Sequence, residues 1–126
     1  MISFILQGRT PSKKNNKRVV TNRSTGKPMI ISSFDFMVWQ NEAIVSLMAQ
    51  HVPRQEIQCC KINFHFTMGD KKRTDIDNKI SSILDMLVKY RTIAGDHWQV
   101  VRELKATADF QKDFWSCKVM IEEIEE

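Results

Sequence analysis

Between Gln58 and Met68 the chain alternates: Cys60, Ile62, Phe64 and Phe66 are apolar, while Lys61, Asn63 and His65 are polar. A period of two puts the first set on one face of a strand and the second on the other. Such a strand belongs in a sheet with one covered face and one wet face. The chain carries two segments able to provide the cover. From about Asn78 to Tyr90, the residues Ile80, Ile83, Leu84, Leu87 and Val88 form one apolar helical face. A second helix starts near Ser33, where Phe36, Trp39, Gln40, Ala43, Ile44, Leu47 and Met48 recur at helical spacing and Pro53 lies beyond the end. That stripe reads as core rather than as a cofactor-binding box.

The remaining strands are shorter. Residues 2–7 read as a strand, and the apolar start is short and lacks the basic flank of a signal peptide. Lys17–Thr21 and Pro28–Ser32 flank a polar turn with Gly26 near its end, the pattern of a hairpin. Trp98–Ala106 and Trp115–Ile121 are two further strands with a polar turn near Asp109–Asp113. The order strand, hairpin, helix, strand, helix, strand, strand predicts an α+β fold. It is a single domain over residues 1–126, with a mixed β-sheet and two helices packed on one face.

Charge and cysteine usage narrow the partners. Seven basic residues and no acid fall within residues 1–34: Arg9, Lys13, Lys14, Lys17, Arg18, Arg23 and Lys27. This one-signed stretch points towards a polyanion. No apolar run approaches the roughly 20 residues of a membrane-spanning helix. Cys59 and Cys60 are adjacent and would point to opposite faces of a strand, so they make poor disulfide partners. Buried thiols in a reducing, cytoplasmic setting are the expectation, ahead of a zinc site using Cys60, His65 and Cys117.

The chemistry lies in the acids. Asp75 and Asp77 sit in Arg73-Thr74-Asp75-Ile76-Asp77-Asn78, and Asp96 sits in Gly95-Asp96-His97-Trp98, at the two ends of the helix expected over residues 78–90. A hairpin-like path bringing those ends to one rim would cluster three carboxylates. Clustered carboxylates need a cation, a shared proton or a basic neighbour. Hard oxygen donors select Mg2+, with Mn2+ as the alternative, and such ions serve phosphodiester hydrolysis. Asp77 also stands where the helix begins and could act as its N-cap. An EF-hand fails, because its required Gly falls on Ile80 and its final Glu on Met86. A P-loop fails for want of its Gly-Lys-Ser/Thr signature. Asp85, inside the helix, ranks below the other three acids.

These residues carry a resemblance. Asp75-Ile76-Asp77-Asn78, then Asp85-Met86-Leu87, then Gly95-Asp96 follow the ordered acidic motifs of the RusA-type Holliday-junction resolvases, many of them phage or prophage encoded. Pro11-Ser12-Lys13-Lys14-Asn15-Asn16-Lys17-Arg18 resembles that family's Pro-x-x-Lys-x-Asn loop, and Gly26, Lys27, Ile30 and Ser32 precede a helix bearing an aromatic, Trp39. The resemblance implies a Mg2+-dependent endodeoxyribonuclease that resolves four-way junctions by paired nicking. Asp75, Asp77 and Asp96 would hold the ion, and Lys79 would stabilise charge on the phosphate. Arg9, Lys13, Lys14, Asn15, Lys17, Arg18 and Arg73 would grip DNA. Junction symmetry implies a homodimer.

Two positions depart from the pattern. The family's Asp-Asp pair is Gly95-Asp96 here, and a one-residue shift would put His97 at the third position. Ser81 stands where relatives commonly carry lysine, and Lys79 is about 200° away from it around a helix. The competing readings are a non-catalytic binder of branched DNA or of a protein, and a nuclease for flaps or single strands.

Overall fold

The computed structural model describes residues 1–12, 17–32 and 34–125. Its elements are β1 (Ile2–Gln7), β2 (Lys17–Thr21), β3 (Pro28–Ser32), α1 (Phe34–Ala49), β4 (Cys60–Met68), α2 (Ile76–Tyr90), β5 (Val101–Phe110) and β6 (Ser116–Glu123). The main sheet has the order β1-β6-β4-β5, while β2 and β3 pair with each other in a separate two-stranded sheet. β4 runs parallel to β5 and antiparallel to β6, and β1 is antiparallel to β6, so the sheet is mixed.

The alternation in β4 sets which face is covered. Cys60, Ile62, Phe64 and Phe66 are buried, as are Phe4 and Leu6 of β1 and Cys117, Val119 and Ile121 of β6. These side chains share one face and meet α1 and α2; Lys61 and Asn63 on the other face are exposed. α2 buries Ile83, Leu84, Met86, Leu87 and Tyr90 against the sheet. α1 buries Phe36, Gln40, Ala43 and Leu47, whereas Trp39 and Ile44 are half-buried and Met48, expected in the core, faces outward. The two helices are clamped across their contact by Gln40, whose Nε2 donates to Asp85 Oδ2 at 3.0 Å and whose Oε1 accepts from Lys89 Nζ at 3.0 Å. Asp85 is therefore a packing residue between helices.

One expectation changes. Trp98–Val100 form a turn, and β5 begins at Val101 and runs on to Phe110. The turn that follows does not close a hairpin, because β4 lies between β5 and β6. Instead it crosses the end of β4: Gln111 N donates to Met68 O at 3.0 Å and Asp113 N to Gly69 O at 2.8 Å.

α2 is the crossover between parallel strands β4 and β5, which decides where its ends lie. The chain leaves the far end of β4, enters α2, and returns to the start of β4. There Ile93 bridges Ile57 in parallel and Cys60 N donates to Val100 O at 2.8 Å. The C-terminal end of α2 is closed by Arg91 in the left-handed region (φ 75°), its N–H bonding the last turn.

Candidate functional site

Asp75 is the residue that caps α2, in extended conformation (φ −79°, ψ 120°), but its side chain makes no cap hydrogen bond. The N-cap role expected of Asp77 thus falls to Asp75 in backbone geometry alone. Asp77 sits in the first turn, where its Oδ1 accepts from Asn78 N at 2.9 Å. Asn78 Nδ2 lies 3.5 Å from Asp75 Oδ2. Both carboxylates are exposed, so their remaining oxygens face solvent at one rim of the fold.

Asp96 does not join them. It is exposed in the 93–100 segment beside the start of β4, beyond the opposite end of α2. A helix of 15 residues is about 22 Å long, so one chain separates Asp96 from Asp75 and Asp77 by a distance of that order. The expectation that a hairpin-like path brings both helix ends to one rim is corrected: a parallel crossover must carry them to opposite ends. Among the described residues, no cluster of three or more His, Cys, Asp or Glu could hold a metal ion. His97, the other candidate for the third position, is exposed beside Asp96 and so lies at the same distant end.

Lys79 has a different environment from the one expected. Its side chain is only 3% exposed, and Nζ donates to the Thr10 carbonyl at 2.6 Å. The ammonium also lies 5.6 Å from the centre of the Trp115 ring. Burial lowers its pKa first, and the Arg9 charge lowers it further, while Asp70 partly opposes them. One turn on, Ser82 Oγ donates to Pro11 O at 2.7 Å. Lys79 and Ser82 therefore fasten Thr10 and Pro11 to the first half of α2. The basic segment starts from that anchor, next to the Asp75–Asp77 rim. Lys13, Lys14 and Asn15 lie outside the described residues, and Lys17 and Arg18 open β2.

Two further basic residues belong to this rim. Arg9 is exposed, with its guanidinium 5.0 Å from the Trp115 ring centre, and Arg73 is exposed two residues before Asp75. Trp115 is the hub that the sequence did not single out. Arg9 and Lys79 contact its ring, its carbonyl accepts from Gly8 N at 2.9 Å, and Gly69 packs against the indole so closely that an added Cβ would fall inside it. Ser81, which the sequence resemblance set at a lysine position, is exposed on α2.

A second residue went unnoticed in sequence. Trp98, read there as a strand start, is 72% exposed in a turn two residues from Asp96, with the Arg102 guanidinium 5.6 Å from its ring centre. An exposed indole beside a cation leaves an aromatic face open to solvent. The signal available in the sequence was a Trp within a polar Gly-Asp-His run.

The thiols carry no site chemistry. Cys59, Cys60 and Cys117 are free and buried, and burial raises Cys60 to about 11 and Cys117 to about 12. His65 is on the other face of β4 from Cys60, with Nδ1 2.6 Å from Thr107 Oγ1, which separates the residues of the conceivable zinc set.

Asp75 and Asp77 fit a hard divalent cation in donor type. Mg2+ is commonly held by one or two carboxylates, with water and substrate phosphate completing its shell. No helix of the described residues is long and apolar enough to cross a membrane. Compared with known proteins, the chain matches no family model and no curated sequence.

Proposed function

We propose that this chain is a metal-dependent endodeoxyribonuclease acting on branched DNA, four-way junctions above all, and that it works as a homodimer in the cytoplasm of a bacterial host. One observation carries the reading. Two exposed carboxylates, Asp75 without a capping bond and Asp77 with one oxygen on Asn78 N, stand at the rim to which Lys79 and Ser82 anchor Thr10 and Pro11. Carboxylates suited to a cation thus stand near Arg9, Arg73 and the residues that lead into the basic stretch, which supports the reading.

Mg2+ bound there would polarise the scissile phosphate and lower the pKa of an attacking water. Asp75 and Asp77 hold and orient; Asn78 steadies Asp75 through its amide. Arg9, Arg73 and the segment containing Lys13, Lys14, Asn15, Lys17 and Arg18 bind the DNA backbone. In this reading Asp96 acts at the site of a second subunit, since within one chain it stands at the far end of α2. A two-fold dimer then has two equivalent composite sites, matching the two nicks of a symmetric junction.

Lys79 works here as a positioning residue, because its ammonium is held by Thr10. That placement, together with Ser81 on the exposed helix surface, also favours a second reading: a relative that binds branched DNA without cutting it efficiently. Labelled four-way junction, flap and single-strand substrates, each with Mg2+, Mn2+ or chelator, separate the readings. Metal-dependent symmetric nicking of the junction supports the nuclease. Junction binding without cleavage in either metal overturns it in favour of the binder.

A further inference from the structure

The two edges of the main sheet are finished differently. At the β1 edge the Gln50 side chain satisfies Ile5 like a neighbouring strand: its Nε2 donates to Ile5 O at 2.8 Å and its Oε1 accepts from Ile5 N at 3.0 Å. That blocks addition of a further strand. Among the described residues no side chain does the same for β5, a ten-residue strand whose only sheet neighbour is β4.

The uncovered edge is also apolar. The register places Leu104 beside Ile62, Ala106 beside Phe64, Ala108 beside Phe66 and Phe110 beside Met68. Ile62, Phe64 and Phe66 are buried under the helices, yet Leu104 is 46% and Phe110 48% exposed, and Ala106 and Ala108 are exposed between them. Past Val101, which is buried, the core face of the sheet thus continues onto a strand whose residues 104–110 are left exposed. A long bare edge with an apolar face is a pairing surface.

We infer that β5 pairs antiparallel with β5 of a second copy, with the two-fold axis at Thr107, to form one continuous eight-stranded sheet. The strand is self-complementary in that register. Leu104 stands opposite Phe110, Ala106 opposite Ala108, and Lys105 opposite Asp109, each pair occurring twice. Neighbouring registers are worse. Centring on Lys105 or Asp109 sets like charges face to face, centring on Ala106 sets Glu103 against Asp109, and centring on Ala108 sets Leu104 against Lys112. Lys105 lies 3.8 Å from Glu103, which also has Lys61 at 3.6 Å, so Lys105 can turn to the partner's Asp109 while Glu103 keeps a cation. Antiparallel pairing also sets the start of the partner's β5 beside the end of this chain's β5, the end that adjoins Met68 and Gly69. The partner's Asp96 then comes to the rim bearing Asp75 and Asp77; this last consequence rests on the proposed function, whereas the edge geometry does not.

Thr107→Cys tests the axis. Directly opposed Cα atoms in an antiparallel pair are about 4.5–5.5 Å apart, within the disulfide range of about 4.4–6.8 Å. Thr107 is exposed on the open face and the native thiols are buried. Under mild oxidation this variant is expected to run as a covalent dimer on a non-reducing gel. Lys105→Cys is expected not to link, its own copy being about 14 Å along the paired strands. Lys105→Glu should lower the dimer fraction by light scattering, and Lys105→Glu with Asp109→Lys should restore it. The inference is overturned if Lys105→Cys links as readily as Thr107→Cys. It is also overturned if dimers survive Leu104→Asp with Phe110→Asp. The nuclease reading is judged separately. A Thr107-linked dimer whose wild type cuts no junction supports the edge and removes the nuclease; a junction-cutting protein in which Thr107→Cys stays unlinked removes the edge and keeps the nuclease.

Discussion

Lys79→Ala separates two roles that the residue could play. Three buried methylenes are lost, at about 0.8 kcal/mol each. The Thr10 carbonyl, on a residue only 4% exposed, loses its donor, and an unpaired buried group costs about 1–3 kcal/mol. Removing a desolvated ammonium returns part of this, so the net loss is about 2 kcal/mol, or roughly 8 °C in melting temperature for a domain of this size. Denaturant unfolding and calorimetry read it directly. The pH dependence adds a sign. Folding depresses the Lys79 pKa below its ordinary 10.5, so between the two values the unfolded chain holds more protons. The wild type should therefore gain stability relative to Lys79→Ala as pH rises towards 10.5, and lose that gain as pH falls through the depressed value. A phosphate-stabilising lysine predicts the reverse pattern: unchanged stability and a loss of about 10²–10³ in single-turnover cleavage. That outcome would refute the structural argument.

Asp75→Asn and Asp77→Asn should each abolish metal-dependent cleavage while junction binding in a gel-shift assay is kept or tightened. Asp96→Asn should do likewise, and mixing it with Asp75→Asn should restore some cutting if the two residues act across subunits. Gly69→Ala should cost about 1–3 kcal/mol in denaturant unfolding, because the indole of Trp115 occupies the space a methyl needs. Trp98→Ala should leave the melting temperature unchanged but weaken junction binding by about tenfold or more, the loss of one base-stacking contact of about 1–3 kcal/mol; binding identical to wild type would remove Trp98 from the DNA surface.

The helix–sheet architecture was legible because its signals are local. Alternation over residues 58–68 and helical spacing over 78–90 each follow from a short window, and burial then selects the same face that the pattern implies. Asp75, Asp77 and the basic N-terminal stretch were legible for the same reason, as runs of like chemistry in sequence. Trp115 was not: it looks like any strand-flanking aromatic, and its role depends on Arg9, Gly69 and Lys79 converging on it from three separate segments.

The sequence by itself determined which segments are helix and strand and which side of each is apolar, and it singled out the acids and bases that are candidates for a cation and a phosphate. Periodicity and side-chain chemistry are properties of neighbours along the chain. Only the tertiary structure decided that β4 separates β5 from β6, that α2 is a parallel crossover holding Asp96 far from Asp75 and Asp77, and that Lys79 bonds Thr10. Strand order and the direction of a crossover come from long-range pairing, for which no short window carries a signal. A buried lysine, likewise, is recognisable only once the carbonyl and the ring that accommodate its charge have been brought to it.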